Sequence, residues 1–233
     1  MDRQDLHGKA ALITGGSTEI ACAVALALAR AGVSICLCGR EVSLLELAAG
    51  RVREAGGTCL TIVSDLEGLE SAESVVEFAC SGLGRLDILV LVSPFWAGGE
   101  IHVHSVRTWD LVLGANLREP FLMARAVLPL FRTQKQGEIL AIGSDSALGI
   151  YKQDGAYGVA MHALTALMDL IRLENEELGI RTHVLAPGVA LTTETDSEGR
   201  PALTASHVAD WAVWLLTRPG HLRGSGPVRI QPL

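Results

Sequence analysis

Short, nearly unbroken apolar runs alternate along this chain with longer stretches whose apolar residues recur at helical spacing. Lys9–Thr14 is the first run and leads into Gly15-Gly16-Ser17-Thr18. A helical pattern from Glu19 to Ala31 stops at Gly32, a residue suited to the left-handed turn that ends a helix. Val33–Cys38 is the second run, closed by Gly39-Arg40, and helix follows to about Ala55 with Gly56-Gly57 as its stop. Thr58–Val63 is the third, ending at Ser64-Asp65; a helix fits Leu69–Ser81, and Leu86–Val92 is the fourth strand. Helical segments over Val106–Asn116 and Pro120–Arg132 precede a strand at Glu138–Ile142. A long amphipathic pattern runs from about Gly155 to Leu178. It is followed by a sixth strand at Ile180–Leu185, a helix over Ser206–Thr217 and a last strand at Pro227–Ile230. Strands that are apolar on every position suit a sheet covered on both faces. About seven strands separated by helices predict one α/β domain over residues 1–233, a doubly wound parallel sheet with ligands at the strands' C-terminal ends.

Composition narrows the function classes. Aromatics make up 4% of the 233 residues while 49% are hydrophobic, a mix rich in Ala, Leu, Val and Gly that suits helices packed closely on a sheet. A net charge of −7 without a basic cluster argues against nucleic acid as a partner. No apolar run approaches the roughly 18 residues of a membrane span. The polar opening Met1–His7 lacks the apolar core of a signal peptide, so no membrane partner and a cytoplasmic chain are expected. None of the five cysteines forms a Cys-x-x-Cys pair, and all sit among apolar neighbours. Cys36 and Cys38 share one face of a strand as small core residues, and no metal site is expected.

The candidate chemistry lies where a run ends in Ser144 and a long helix begins near Tyr157. Two hydroxyls brought together beside a cleft can share one substrate oxygen. Tyr157 and Met161 stand one above the other on that helix. Near the N-terminus, strand, glycine turn and helix form a cradle for a dinucleotide, whose pyrophosphate is favoured at a helix N-terminus.

Ser144 followed by Tyr157 and a four-residue step resembles the active-site signature of the short-chain dehydrogenase/reductase family, in which the step ends in lysine; here it ends in Met161. The likeness covers nearly the whole chain. Thr14-Gly15-Gly16-Ser17-Thr18-Glu19-Ile20-Ala21 matches the family's Thr-Gly-x-x-x-Gly-x-Gly, with Glu19 and Ala21 replacing the second and third glycines. The resemblance implies a single-domain Rossmann-type fold and an NAD(P)(H)-dependent oxidoreductase acting on a small carbonyl or alcohol. It implies cofactor contacts from Gly15, Ser17, Thr18 and Ile20, from Asp65 at the adenine with Leu66 beside it, and from Pro187, Gly188, Val189 and Thr192 beside the nicotinamide. Arg40 stands where the family often places a base on the 2′-phosphate. Gly39 replaces the acid of NAD-preferring members, so NADP(H) is favoured over NAD(H). Asn116 corresponds to the asparagine that holds a water in the proton relay, Ser144 to the residue that orients the substrate oxygen, and Tyr157 to the proton donor and acceptor. The family pairs its subunits through the two helices that here carry Ala/Leu faces, which implies a homodimer or homotetramer.

Several departures from the family pattern bear on activity. The lysine lowers the tyrosine pKa and binds the nicotinamide ribose; Met161 does neither. A tyrosine near its ordinary pKa of about 10 is ionised only about one part in a thousand at pH 7, which penalises alcohol oxidation more than carbonyl reduction. Glu19 brings charge and bulk toward the pyrophosphate unless it turns to solvent, where it serves the helix dipole. The family's Asn-Asn-Ala-Gly becomes Leu91-Val92-Ser93-Pro94, so apolar packing must replace the asparagine brace. The short polar segment Leu191–Ala202 replaces a longer lid, with helical pattern resuming at Leu203. His102, His104 and His162 read as ordinary loop or surface residues. Three readings stay open: an oxidoreductase, a silent relative that binds a small molecule or pairs with an active homologue without need of cofactor, and an enzyme using the pocket for non-redox acid/base chemistry. Met161→Lys alone is not expected to restore activity while Glu19 remains.

Overall fold

The computed structural model describes residues 5–93, 95–188, 190–191, 201–219 and 226–232. Six strands and six helices alternate: β1 Ala10–Ile13, α1 Glu19–Arg30, β2 Ser34–Gly39, α2 Val42–Glu54, β3 Cys59–Val63, α3 Leu69–Leu83, β4 Ile88–Val92, α4 Val106–Leu113, α5 Glu119–Gln134, β5 Gly137–Ile142, α6 Gly155–Asn175 and β6 Ile180–Pro187. Two short strands, β7 Ala190–Leu191 and β8 Leu203–Thr204, precede α7 Ala205–Leu216 and β9 Val228–Ile230.

Seven strands form one parallel sheet in the order β3-β2-β1-β4-β5-β6-β9, which is the expected doubly wound arrangement. The chain enters at β1, works outward to β3, then returns to lay β4 on the other side of β1. Connections that leave in opposite directions open a crevice at the C-terminal ends of β1 and β4.

Both faces of the sheet are buried, which is why its strands read as continuous apolar runs. Ala11, Ile13, Val90 and Ile142 face α1, α2 and α7 in one core, while Leu12, Leu89, Leu91 and Ile139 face α3, α5 and α6 in the other. Cys36 and Cys38 lie together in the second core, as their spacing predicts. Leu12 sits in register with Cys36 on one side and Leu89 on the other. Truncating a fully buried side chain such as Leu89 to alanine would cost about 2–5 kcal/mol.

Element ends differ from the sequence-based boundaries by a residue or two, and three differences are larger. The segments expected as separate helices around Asn116 are continuous, joined by a π-helical turn over Gly114–Arg118. Such a turn inserts an extra residue into the helix and turns Asn116 inward. The long helix ends at Asn175, and Glu176–Leu178 is a 3-10 turn closed by Gly179. Leu203–Thr204 pairs as a strand with Ala190–Leu191 instead of beginning a helix; Thr204 then caps α7 by accepting from His207 N–H at 3.4 Å. Among the described residues no helix is long and apolar enough to cross a membrane.

Candidate active site

The turn after β1 forms one wall of the crevice. Gly15 has φ +63°, and a Cβ there would stand 3.0 Å from the Val92 carbonyl oxygen, so the turn needs a residue without a side chain. Gly16 N–H donates to the Cys38 carbonyl at 2.8 Å and ties the turn to β2. Thr18 caps α1, its Oγ1 accepting from Ala21 N–H at 3.2 Å. The first amides of α1, those of Glu19 and Ile20, have no acceptor within the helix and suit an anion. Ser17 Oγ is buried without a hydrogen-bond partner, a hydroxyl that a phosphate or ribose oxygen would satisfy. A Cβ on Gly39 would come within 2.8 Å of that hydroxyl, so glycine keeps it open.

Neither departure from the glycine pattern closes this cradle. Glu19 is exposed on the first turn of α1 and lines a groove with Gly16, Ser17 and Thr18 on one side and Leu44 and Arg51 on the other. Ala21 is fully buried in the core beneath. The Leu91-Val92 replacement is likewise accommodated by packing, both side chains being buried.

Beside the turn lies a cavity of about 180 Å³ walled by Ser17, Thr18, Gly39, Arg40, Leu66, Ala115 and Glu119, among others. Leu66 is buried with φ +55°, its N–H held by Ser64 Oγ at 3.2 Å. Asp65 lies between Ser64 and Leu66, which line this cavity, and its Oδ1 accepts from Glu67 N–H at 3.1 Å within its own loop. Ile20 packs its side chain against the core, leaving only its amide toward the cradle. Arg40 forms an ion pair with Glu119 and donates to the Asp65 carbonyl at 3.4 Å. The Arg40 side chain is 59% exposed and that of Glu119 18%. Burial pushes the Glu119 carboxyl up to about 7 against the pull of Arg40, and Asp65 and Glu67 push the same way.

At the other end, β5 leads into Ser144 and the first turn of α6 delivers Tyr157, with the Ser144 hydroxyl near enough to act on the phenol. Ser144 Oγ also accepts from Ser146 N–H at 3.2 Å and lies 3.4 Å from Asp145 Oδ1. Burial pushes the Tyr157 phenol up; the Ser144 hydroxyl pulls the other way, and Asp154 and Asp145 push further up. The charges acting on Tyr157 are thus acidic, the reverse of what a lysine would supply. Met161, one turn on, is fully buried with its sulfur against Gly143.

Asn116 is fully buried and grips the loop after β4 with both ends of its amide: Nδ2 donates to the Phe95 carbonyl at 2.6 Å and Oδ1 accepts from Phe95 N–H at 3.3 Å. It braces that loop beside the crevice. Pro187 ends β6, and Gly188 N–H donates to the Ile230 carbonyl at 3.0 Å, fixing this turn to the last strand. Val189 and Thr192 lie outside the described residues. His162 turns back on its own helix, Nδ1 lying 2.9 Å from the Gly158 carbonyl, and exposed His102 lies beside Glu100. No cluster able to hold a metal ion occurs among the described residues.

Glu119 carries no signal in the sequence, and His104, read there as an ordinary loop residue, has a definite place. His104 Nε2 accepts from Ala156 N–H at 3.4 Å and steadies the start of the tyrosine helix. Glu119 faces Arg40 across the cavity. Glu-Pro at a helix start is an ordinary dipole-favoured pattern, and only the fold brings it to a residue 79 positions away.

Comparison with known proteins gives the same architecture. The chain is 27% identical over 232 residues to an uncharacterised oxidoreductase of Staphylococcus haemolyticus, covering 98% of this chain and 99% of that one. A metagenomic short-chain oxidoreductase solved in complex with NADP superposes with a TM-score of 0.84 at 26% identity, covering 99% of both chains. An alcohol dehydrogenase of Thermococcus sibiricus complexed with 5-hydroxy-NADP gives 0.85 at 25% identity, covering 97% of each. The short chain dehydrogenase family model matches residues 9–202, and with the Ser144–Tyr157 pair at the end of a crevice that begins in a glycine turn, the chain belongs to that family.

Proposed function

We propose that this chain is an NAD(P)(H)-dependent oxidoreductase that works in the direction of carbonyl reduction. The observation that carries the reading is Tyr157 with the Ser144 hydroxyl beside it at one end of a crevice whose other end holds the orphaned Ser17 hydroxyl. Gly15, Ser17, Thr18 and the Ile20 amide would hold the pyrophosphate, Leu66 and Arg40 the adenosine, and Pro187 and Gly188 the nicotinamide, with Val189 and Thr192 by sequence position. Relatives solved with NADP and with 5-hydroxy-NADP support a cofactor of this class. The nicotinamide, when bound, supplies the hydride.

The protein's part is to hold and protonate the substrate oxygen. Ser144 donates to a carbonyl oxygen and Tyr157 gives it a proton as it becomes a hydroxyl, leaving a phenolate that solvent must reprotonate. Donation requires the neutral phenol, and burial keeps Tyr157 in that form. Oxidation requires the phenolate, for which Met161 offers no compensating charge. Reduction is therefore the favoured direction, with turnover slowed by the poorly stabilised phenolate.

Met161 also favours a second reading, that of a protein that binds a small molecule or partner subunit, or performs non-redox acid/base chemistry, in an inherited pocket. Titration with NADPH and NADH followed by consumption assays on aldehydes and ketones separates the two. Binding with turnover supports the reductase; binding without turnover on any carbonyl supports the second reading; no binding removes hydride transfer. Arg40, taken alone with Gly39, supports NADP(H) over NAD(H). Exposed Phe121 on α5 and exposed Leu170 and Leu173 on α6 support a homodimer or homotetramer, which light scattering would test. Five free cysteines support a reducing, cytoplasmic setting.

A further inference from the structure

We infer that Glu119 is a specificity-determining residue: by engaging Arg40 across the adenosine cavity, it disfavours cofactors that carry a 2′-phosphate. The inference rests on the cofactor reading above and reverses the simple meaning of Arg40.

Arg40 follows β2 and Glu119 opens α5, and their side chains meet over the cavity from separate walls. Nη2 of the Arg40 guanidinium is taken by Glu119 and the Asp65 carbonyl. A 2′-phosphate drawn to the remaining Arg40 donors would compete with the Glu119 carboxylate for the same cation and lie beside it. Asp65 and Glu67 add negative charge to the same corner, where Arg118 already donates to the Glu67 carbonyl. A free ribose 2′-hydroxyl meets the opposite situation, because a carboxylate accepts its hydrogen bond and keeps its arginine. Glycine occupies position 39, directly after β2, and has no side chain to do this. The acid comes instead from α5, on the far wall of the cavity. Its partial burial sharpens the effect, since a carboxylate that loses its counter-ion here cannot turn fully to water.

The test is calorimetric titration of NADH, NADPH, 5′-AMP and 2′-AMP into wild type, Glu119→Gln, Glu119→Ala and the Glu119→Gln/Arg40→Ala double variant. Removing a part-buried carboxylate relieves a desolvation cost, so both Glu119 variants are expected to fold, checked by circular dichroism. The expected result is tightening of NADPH and 2′-AMP by about tenfold or more in both Glu119 variants, while NADH and 5′-AMP weaken by about threefold to tenfold in Glu119→Ala, which lacks an acceptor for the 2′-hydroxyl. Adding Arg40→Ala should cancel the gain. If both cofactors bind but the NADPH-to-NADH ratio is unmoved in both variants, or if the gain survives loss of Arg40, the inference is overturned while the cofactor reading stands. If no variant binds any probe, the cofactor reading fails and takes this inference with it.

Discussion

The two ends of the crevice have departed from the family pattern with unequal consequences. At the nucleotide end, Glu19 stands where the resemblance implies a glycine, and it is exposed in a groove that Ser17 and Thr18 also line. At the catalytic end, Met161 stands where it implies a lysine, on the buried face of α6, where a side chain has no way out. An exposed residue can turn to water and a core residue cannot, so what a replacement does to a site depends on its escape route as much as on its chemistry. The nucleotide end has its glycine turn and an orphaned Ser17 hydroxyl; the catalytic end has two hydroxyls with a buried thioether beside them.

The largest expected effect comes from the hydroxyl itself. Tyr157→Phe should lower carbonyl reduction by about 10²–10⁴-fold while leaving NADPH affinity within about threefold, measured by steady-state kinetics and fluorescence titration. A parallel loss of affinity would mean the two ends are not separable.

Met161→Lys would give the catalytic end its cation. The sequence predicts that this change fails while Glu19 remains; because Glu19 is exposed and free to turn to water, we predict a gain instead, and its absence would uphold the sequence-based expectation. The lysine should pull the Tyr157 phenol down and raise alcohol oxidation at pH 8 by about tenfold or more. It should also cost about 2–4 kcal/mol in stability, because a fully buried thioether is exchanged for a charge. In the unaltered protein, oxidation should climb steadily with pH toward the alkaline range while reduction stays level from pH 7 to about 9. An oxidation rate that is already level at pH 8 would show that another group activates Tyr157.

A pair of variants sharpens the exposed-versus-core contrast at the nucleotide end. Gly15→Ala forces a left-handed residue against the Val92 carbonyl and should cost about 1–3 kcal/mol together with cofactor affinity. Glu19→Gly should change cofactor affinity by less than about threefold, since the exposed carboxylate can turn to water.

The smallest effect is a pH dependence of stability. The Glu119 carboxyl lies near 7 in the folded protein against an ordinary value of 4.5. Its raised value means that the contribution is fully present below about 4.5 and is lost as pH rises through about 7, as ionisation in a part-buried place is penalised. Glu119→Gln should therefore be more stable than wild type by roughly 1–3 kcal/mol at pH 8, with the difference vanishing near pH 4.5. Chemical denaturation at the two pH values would check this, and an equal gain at both would contradict it.

Much of this was legible from sequence because the signals are local. Strands buried on both faces write themselves as apolar runs, and Ser144 and Tyr157 declare themselves as the end of a run and the first turn of a helix. The π-helical turn over Gly114–Arg118 was not legible, because one inserted residue within two helical patterns leaves no mark in composition. The hydrogen bond of Asp65 within its own loop and the exposure of Glu19 depend on side-chain packing that a motif does not encode. The two-residue strands β7 and β8 were too short to show a period. The Arg40–Glu119 pair joins two elements that only the strand order brings together.

The central claim is that the nucleotide end remains competent although the catalytic end has lost its cation. Direct titration of the wild-type chain with NADH and NADPH, followed by nicotinamide fluorescence, tests it without knowledge of the substrate. Saturable binding of at least one cofactor in the micromolar range, retained in Tyr157→Phe, is the predicted result. Absence of saturation for both up to millimolar concentration would contradict the account and retire hydride transfer for this chain.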